Sequence, residues 1–319
     1  MMSMNNLFYS MQAWRLLNRG GRLLHLSPSQ HIQKLSSRSN QLGFCQVLAA
    51  FTQIQRSYTE RANYIHVEQD ADIQDISILR FDRKPVNGLN KDFLIEMDMA
   101  LEKLENNPSC RGVILTSAFP KIFSAGLDIT EMYQKSHDYT NAFWRSLQNM
   151  WLRLYGSRLV TMAAINGHSP AGGCLIAMSC DLRVMASGPY TIGLNETLLG
   201  IVAPFWFMDT MKNTVGQRET EIALQLGKLY SPEEALEKGL VDILAADTEV
   251  VNVAKSHMVN WLKIPDHARQ ISKQMMRETT LDKLKARKDE DIEYYTNFIQ
   301  QDSVQKVLGM YIESQKKKK

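Results

Sequence analysis

A chain of 319 residues, 44% apolar and 22% charged, has ordinary globular composition and material for one large or two modest domains, which excludes a chain disordered throughout. Its formal charge of +3 hides an asymmetry: residues 1–59 hold six Lys/Arg (Arg15, Arg19, Arg22, Lys34, Arg38, Arg56) and no acid, and setting those aside leaves 31 basic residues against 34 acidic ones. That balance argues against the concentrated basic face that nucleic-acid binding needs, and no window offers the ~20 consecutive apolar residues of a membrane-spanning helix.

The opening segment combines those arginines with several serines and with Leu7, Met11, Trp14, Leu17 and Leu24 at helical spacing. It reads as a mitochondrial transit peptide, residues 1–59, with a basic flexible arm as the alternative. Arg56, Ser57 and Tyr58 resemble a matrix-processing site, so a mature chain is expected to begin near residues 57–60. Of four cysteines, Cys45 lies in this segment, and Cys110, Cys174 and Cys180 lack CxxC spacing or paired histidines. Reduced thiols without a metal are expected.

From residue 64, YIHVEQDADIQDISILRF alternates apolar with polar residues and predicts two strands. KDFLIEMDMALEKLENN then places Phe93, Leu94, Met97, Leu101 and Leu104 on one helical face and ends at Asn106, Asn107 and Pro108. RGVILTSA reads as a buried strand, NAFWRSLQNMWLRLYGS as a helix, LVTMAAING as a strand, GGCLIAMSCD as a helix and LRVMA as a strand. Such alternation indicates an α/β domain. After about residue 204 the composition changes to helices, with SPEEALEKG capped by Ser231 and Glu234 and stopped by Gly239, and from Pro265 onward the chain reads as all helix. The division expected is an α/β core over 60–255 and a helical region over 256–319.

Three segments carry candidate chemistry. FSAGLDITEM (123–132) and NGHSPAGGCLIAMSCD (166–181) each put glycines at a strand-to-helix turn. Unpaired N–H groups at two facing helix starts can hold a developing oxyanion, whereas either turn alone needs its glycines only for tightness. IGLNETLLG (192–200) sets one carboxylate, Glu196, among leucines. By itself it is a helix cap or dipole partner. His168 has no carboxylate or nucleophile at a recognisable spacing and reads as structural.

The order and spacing of FSAGLDITEM, PAGGCLIAMSCD and IGLNETLLG resemble the crotonase (enoyl-CoA hydratase and isomerase) superfamily over roughly residues 64–315. The resemblance implies a spiral of ββα units with a helical C-terminal trimerisation region. It implies a fatty enoyl-CoA substrate, no cofactor beyond the substrate's own CoA, a homotrimer and a mitochondrial matrix location. It assigns the backbone N–H groups of Leu127 and Gly172 to an oxyanion hole, Ala125, Gly126, Leu127, Asp128 and Ile129 to the CoA path, and Asn195 and Glu196 to the acyl chain. Asn195 stands where the family often has proline, and its amide can bond either a ligand or the local backbone.

Hydratases of this type carry a second glutamate three residues after the oxyanion-hole glycine, where this sequence has Leu175. Adding water wants two carboxylates, while moving a double bond needs one base that takes and returns a proton. The expectation is an isomerase converting 3-enoyl-CoA to trans-2-enoyl-CoA through Glu196. A hydratase or thioesterase of the same superfamily, and a noncatalytic acyl-CoA or RNA-binding homologue, are the alternatives.

Overall fold

A computed structural model describes residues 63–316; the expected transit segment lies outside them. Strands β1 (Ile65–Gln69) and β2 (Ile76–Phe81) pair antiparallel. Helix α1 (Lys91–Glu105) buries the five apolar residues of its predicted face, and the Asn90 side chain accepts the Phe93 N–H at its start. Strand β3 (Gly112–Ser117), the short β4 (Lys121–Ile122) and helix α2 (His137–Tyr155) follow. The order then repeats as β5 (Val160–Ile165), β6 (Gly167–Pro170) and α3 (Gly172–Ser179), and as β7 (Leu182–Ala186), β8 (Ile192–Gly193) and α4 (Phe205–Val215).

These ββα turns build two sheets. The larger runs β1-β2-β3-β5-β7-β9, with β9 at Ile243–Ala245, parallel except at β1–β2, and the smaller is a parallel β4-β6-β8. Each turn after the first sends one strand to each sheet. β3 and β5 are buried along their whole length, as parallel strands covered on both faces must be, which is why GVILTS and VTMAAI read as continuous apolar runs rather than alternation.

Helices α5 (Gln217–Leu226), α6 (Pro232–Glu237), α7 (Val250–Leu262), α8 (Asp266–Ala286), α9 (Lys288–Ile299) and α10 (Asp302–Lys316) complete the described chain. Ser231 and Glu234 form the expected capping box on α6. The change to helices after residue 204 is interrupted by β9, three half-buried residues (Ile243–Ala245) that complete the large sheet beside β7 and that the sequence reading did not single out. The boundary expected near residue 255 falls inside α7, which packs on β3, β5 and β7. Asp291 of α9 fastens the later helices to the earlier ones: its carboxylate accepts N–H groups from Trp144 and Gln148 of α2 (each 2.7 Å) and from Trp206 of α4 (3.2 Å). No helix among the described residues is long and apolar enough to cross a membrane.

Candidate active site

The small sheet aligns the three motif segments. β4 leads into 123–132, β6 into the turn before α3, and β8 into the stretch ending at Glu196. Cross-links between neighbours are short: Phe123 N–H donates to His168 O (2.9 Å), Ser169 N–H to Thr191 O (2.8 Å) and Ala171 N–H to Gly193 O (2.8 Å). His168 belongs to this framework, since its Nδ1 accepts the Thr191 N–H at 3.2 Å. An Nδ1 used as acceptor leaves a neutral ring's proton on Nε2, and the imidazole pins β6 to β8.

Leu127 forms a parallel bridge to Leu89, in which Leu89 N–H donates to Gly126 O (2.8 Å) and Asp128 N–H to Leu89 O (3.2 Å). The residue between those two bonds turns its own N–H to the opposite side, and the Leu127 N–H has no backbone acceptor among the described residues. Gly172 opens α3, where the first N–H groups lack intrahelical carbonyls, and its cap, Ala171, supplies no side-chain acceptor. Leu175 N–H is the first to close back, onto Ala171 O (3.0 Å).

The two donors are neighbours. A Cβ added to Gly172 would lie 3.3 Å from Leu127 N, and one added to Gly126 would lie 2.9 Å from Gly172 N. Gly126 has φ +84°, so a side chain there is excluded by both backbone conformation and contact. Ala171 itself holds φ +50°, a conformation that costs about 1–3 kcal/mol in a non-glycine residue and is tied in place by its bond to Gly193.

Glu196 begins a 3-10 helix (Glu196–Leu199) and is 8% exposed. Its Oε2 has no hydrogen-bond partner among the described residues. The carboxyl borders a cavity of about 180 Å³ whose other walls are Thr197, Val202, Ala203, Met208, Leu224 and Gln225. Burial pushes its pKa up to about 7, opposed only by its own backbone N–H. Cys174, two residues into α3 beyond Gly172, has its thiol raised first by burial and then by the Glu196 charge. A larger cavity, about 690 Å³ between α7 and α8, includes none of the predicted site residues.

Ala125 is half-buried, its N–H bonded to Val86 O (3.0 Å), and Ile129 starts a short 3-10 helix (Ile129–Glu131). Asp128 is committed within the protein: Oδ2 meets Arg83 at 2.8 Å and Oδ1 takes the Thr130 N–H and hydroxyl. Burial works to raise its pKa, but the Thr130 and Arg83 bonds prevail and hold it below the usual carboxylate value. Asn195 is half-buried and caps the 3-10 helix through its main chain alone, leaving its amide unused there. Leu175 is fully buried in α3, and Glu196 is the one ionisable group lining the 180 Å³ cavity. The cavity walls escaped the sequence reading. The apolar run IVAPFW directly after the glutamate signals Val202 and Ala203; Leu224 and Gln225, on another helix, carry no such signal.

The Enoyl-CoA hydratase/isomerase family profile matches residues 71–318. The chain is 54% identical over 245 residues to Enoyl-CoA delta isomerase 1, mitochondrial, of Mus musculus, covering 76% of this chain and 85% of that protein. It is 50% identical over 254 residues to the Homo sapiens protein of the same name, covering 79% and 84% respectively. The crystal structure of human mitochondrial delta3-delta2-enoyl-CoA isomerase superposes with a TM-score of 0.79 at 50% identity, over 81% of this chain and all of that one. The fold is crotonase-like, and the chain belongs to the enoyl-CoA hydratase/isomerase family.

Proposed function

We propose that this protein is an enoyl-CoA delta isomerase that moves the double bond of a 3-cis- or 3-trans-enoyl-CoA into conjugation with the thioester. Glu196 takes a proton from C2, the negative charge spreads over a dienolate whose thioester oxygen accepts from the Leu127 and Gly172 N–H groups, and the same carboxyl returns the proton at C4. The product is trans-2-enoyl-CoA, and atoms balance without a co-reactant. A carboxylate is too weak a base for a thioester α-proton unless the enolate is held, and each aimed donor contributes about 2.7–4 kcal/mol. A carboxyl with pKa near 7 is matched to taking and giving a proton at neutral pH.

Two observations support this reading: a buried Glu196 carboxyl oxygen without a partner opens on an apolar cavity, and the Leu127 and Gly172 main-chain donors, both unpaired, lie close to each other. Leu175 leaves the site without the second carboxylate that water addition requires. Ala125, Gly126, Asp128 and Ile129 form the CoA path and Asn195 a polar contact at the acyl end. The relatives' names support isomerisation of enoyl-CoA and a mitochondrial location. We assign residues 1–59 to a transit segment, the working site to the matrix and to β-oxidation of unsaturated fatty acids, and residues 256–319 to contacts in a homotrimer. Exposed Ile271, Met275 and Met276 on α8 fit such contacts.

Turnover of 3-hexenoyl-CoA by Glu196→Gln is the test. Removing the only base should lower kcat by about 10²–10⁴-fold or more with acyl-CoA binding retained; turnover near that of the parent protein refutes the assignment.

A further inference from the structure

We propose that Gln305 is a positioning residue for the reaction: from α10 it fastens the end of the loop that bears the Leu127 donor, while the same helix presses on the end of the 3-10 helix that begins with Glu196. The inference rests on the reading of Glu196 as base and adds what sets its distance from the oxyanion donors.

The Gln305 amide is used on both sides. Its Nε2 donates to Met132 O (3.0 Å) and to Ile299 O (2.7 Å), and its Oε1 accepts the Gln134 N–H (2.9 Å). Met132 caps the 3-10 helix Ile129–Glu131, which starts two residues after Leu127. Gln134 holds φ +52°, a conformation an ordinary residue adopts at a cost, and its N–H is the group that Gln305 receives. Between them stands Tyr133, packed against Gly309 of α10 so closely that a Cβ at 309 would lie 3.0 Å from its hydroxyl. Two turns of α10 therefore grip three consecutive residues of one loop.

The opposite contact is to the other half of the site. Val307 of α10 lies 3.7 Å from where a Cβ on Gly200 would be, and Gly200 is the left-handed cap (φ +68°) that ends the 3-10 helix Glu196–Leu199. Buried Val304 and Leu308 hold α10 to the core between these contacts. Motif loops that leave separate strands of the small sheet are thus joined a second time, at their far ends, by one helix. A side chain such as Gln305 that acts through bonds to Met132 and Gln134 shifts the Leu127 amide relative to Glu196 without touching substrate.

The test uses the full chain with Gln305→Met, which keeps shape and removes all three bonds, and Gly309→Ala, which displaces Tyr133 and favours the helix. Both are assayed with 3-hexenoyl-CoA at a temperature where circular dichroism shows complete folding, with Glu196→Gln alongside. Misplacement of reacting groups by a fraction of an ångström predicts a fall in kcat of about tenfold for Gln305→Met, with KM changed less than threefold, and a smaller fall for Gly309→Ala at an equal or higher Tm. Parent-like kcat in Gln305→Met, or losses confined to the unfolding transition, overturn the inference. An inactive Glu196→Gln beside a fully active Gln305→Met sinks only this inference; an active Glu196→Gln sinks the catalytic reading on which it rests.

Discussion

Gly172→Ala separates the oxyanion hole from the scaffold that builds it. The added methyl would lie 3.3 Å from Leu127 N, close enough to crowd the position a thioester oxygen must take about 2.7–3.1 Å from that donor. Its other close contacts are 2.8 Å to Leu89 Cδ1, the movable end of a side chain, and 3.3 Å to the Gly126 Cα. The backbone at 172 is helical rather than left-handed, and alanine is favoured over glycine in a helix. Stability should therefore change little while the hole loses at least one donor. With one donor contributing about 2.7–4 kcal/mol to the transition state, kcat should fall about 10²–10³-fold. The assay is steady-state isomerisation of 3-hexenoyl-CoA, followed by the ultraviolet absorbance of the conjugated thioester, with a thermal melt on the same sample. Gly126→Ala is the contrast: φ +84° and 2.8 Å to Ala171 Cβ make it a folding defect instead. A Gly172→Ala protein that melts normally and turns over within threefold of the parent would refute the assignment of the donors.

Two further outcomes follow from buried carboxylates. For Glu196, kcat/KM should rise with pH through a midpoint near 7, because only the ionised form takes the C2 proton. Between about pH 4.5 and 7 the native protein keeps a proton that the unfolded chain has lost, so stability falls as pH rises across that window. The difference corresponds to ~3 kcal/mol, and Glu196→Gln should remove it, melting above the parent at pH 8; coincident melting curves at pH 8 contradict the burial argument. For Asp291, replacement by Ala orphans the buried indole N–H groups of Trp144 and Trp206, and the urea midpoint should drop by the equivalent of about 3 kcal/mol; an unchanged midpoint contradicts it.

Much of the scaffold is legible because its elements are long. The apolar positions of α1 and the Ser231–Glu234 box of α6 are local signals, and the structure contains both. The continuous runs of β3 and β5 register as buried strands. β4 and β8 are two residues each and β9 three, too short to show a period, so the small sheet and the last strand of the large one have no local signature. Nor does spacing reveal that Leu127 and Gly172, 45 positions apart, are neighbours. That convergence depends on β4 lying beside β6, and the sequence suggested it only through resemblance to a family. Helix α3 is buried on every side and lacks an amphipathic face, so nothing local marks its first residue as the donor proposed here.

One buried carboxylate, the proposed base Glu196, differs from those that hold the fold. Asp181 meets Lys273 and Arg277, Asp70 meets Lys255, Glu131 accepts the Lys91 N–H and the Tyr139 hydroxyl, and Asp291 accepts two indoles and an amide. Each joins elements distant in sequence, as a structural acid should, because an unpartnered buried charge is costly. Glu196 joins nothing through its Oε2 and opens on apolar walls. A chain able to satisfy the other four could satisfy this one with a single nearby donor, yet such a donor would lower its pKa and weaken it as a base. The missing partner is therefore the feature that fits Glu196 to the proposed role of base.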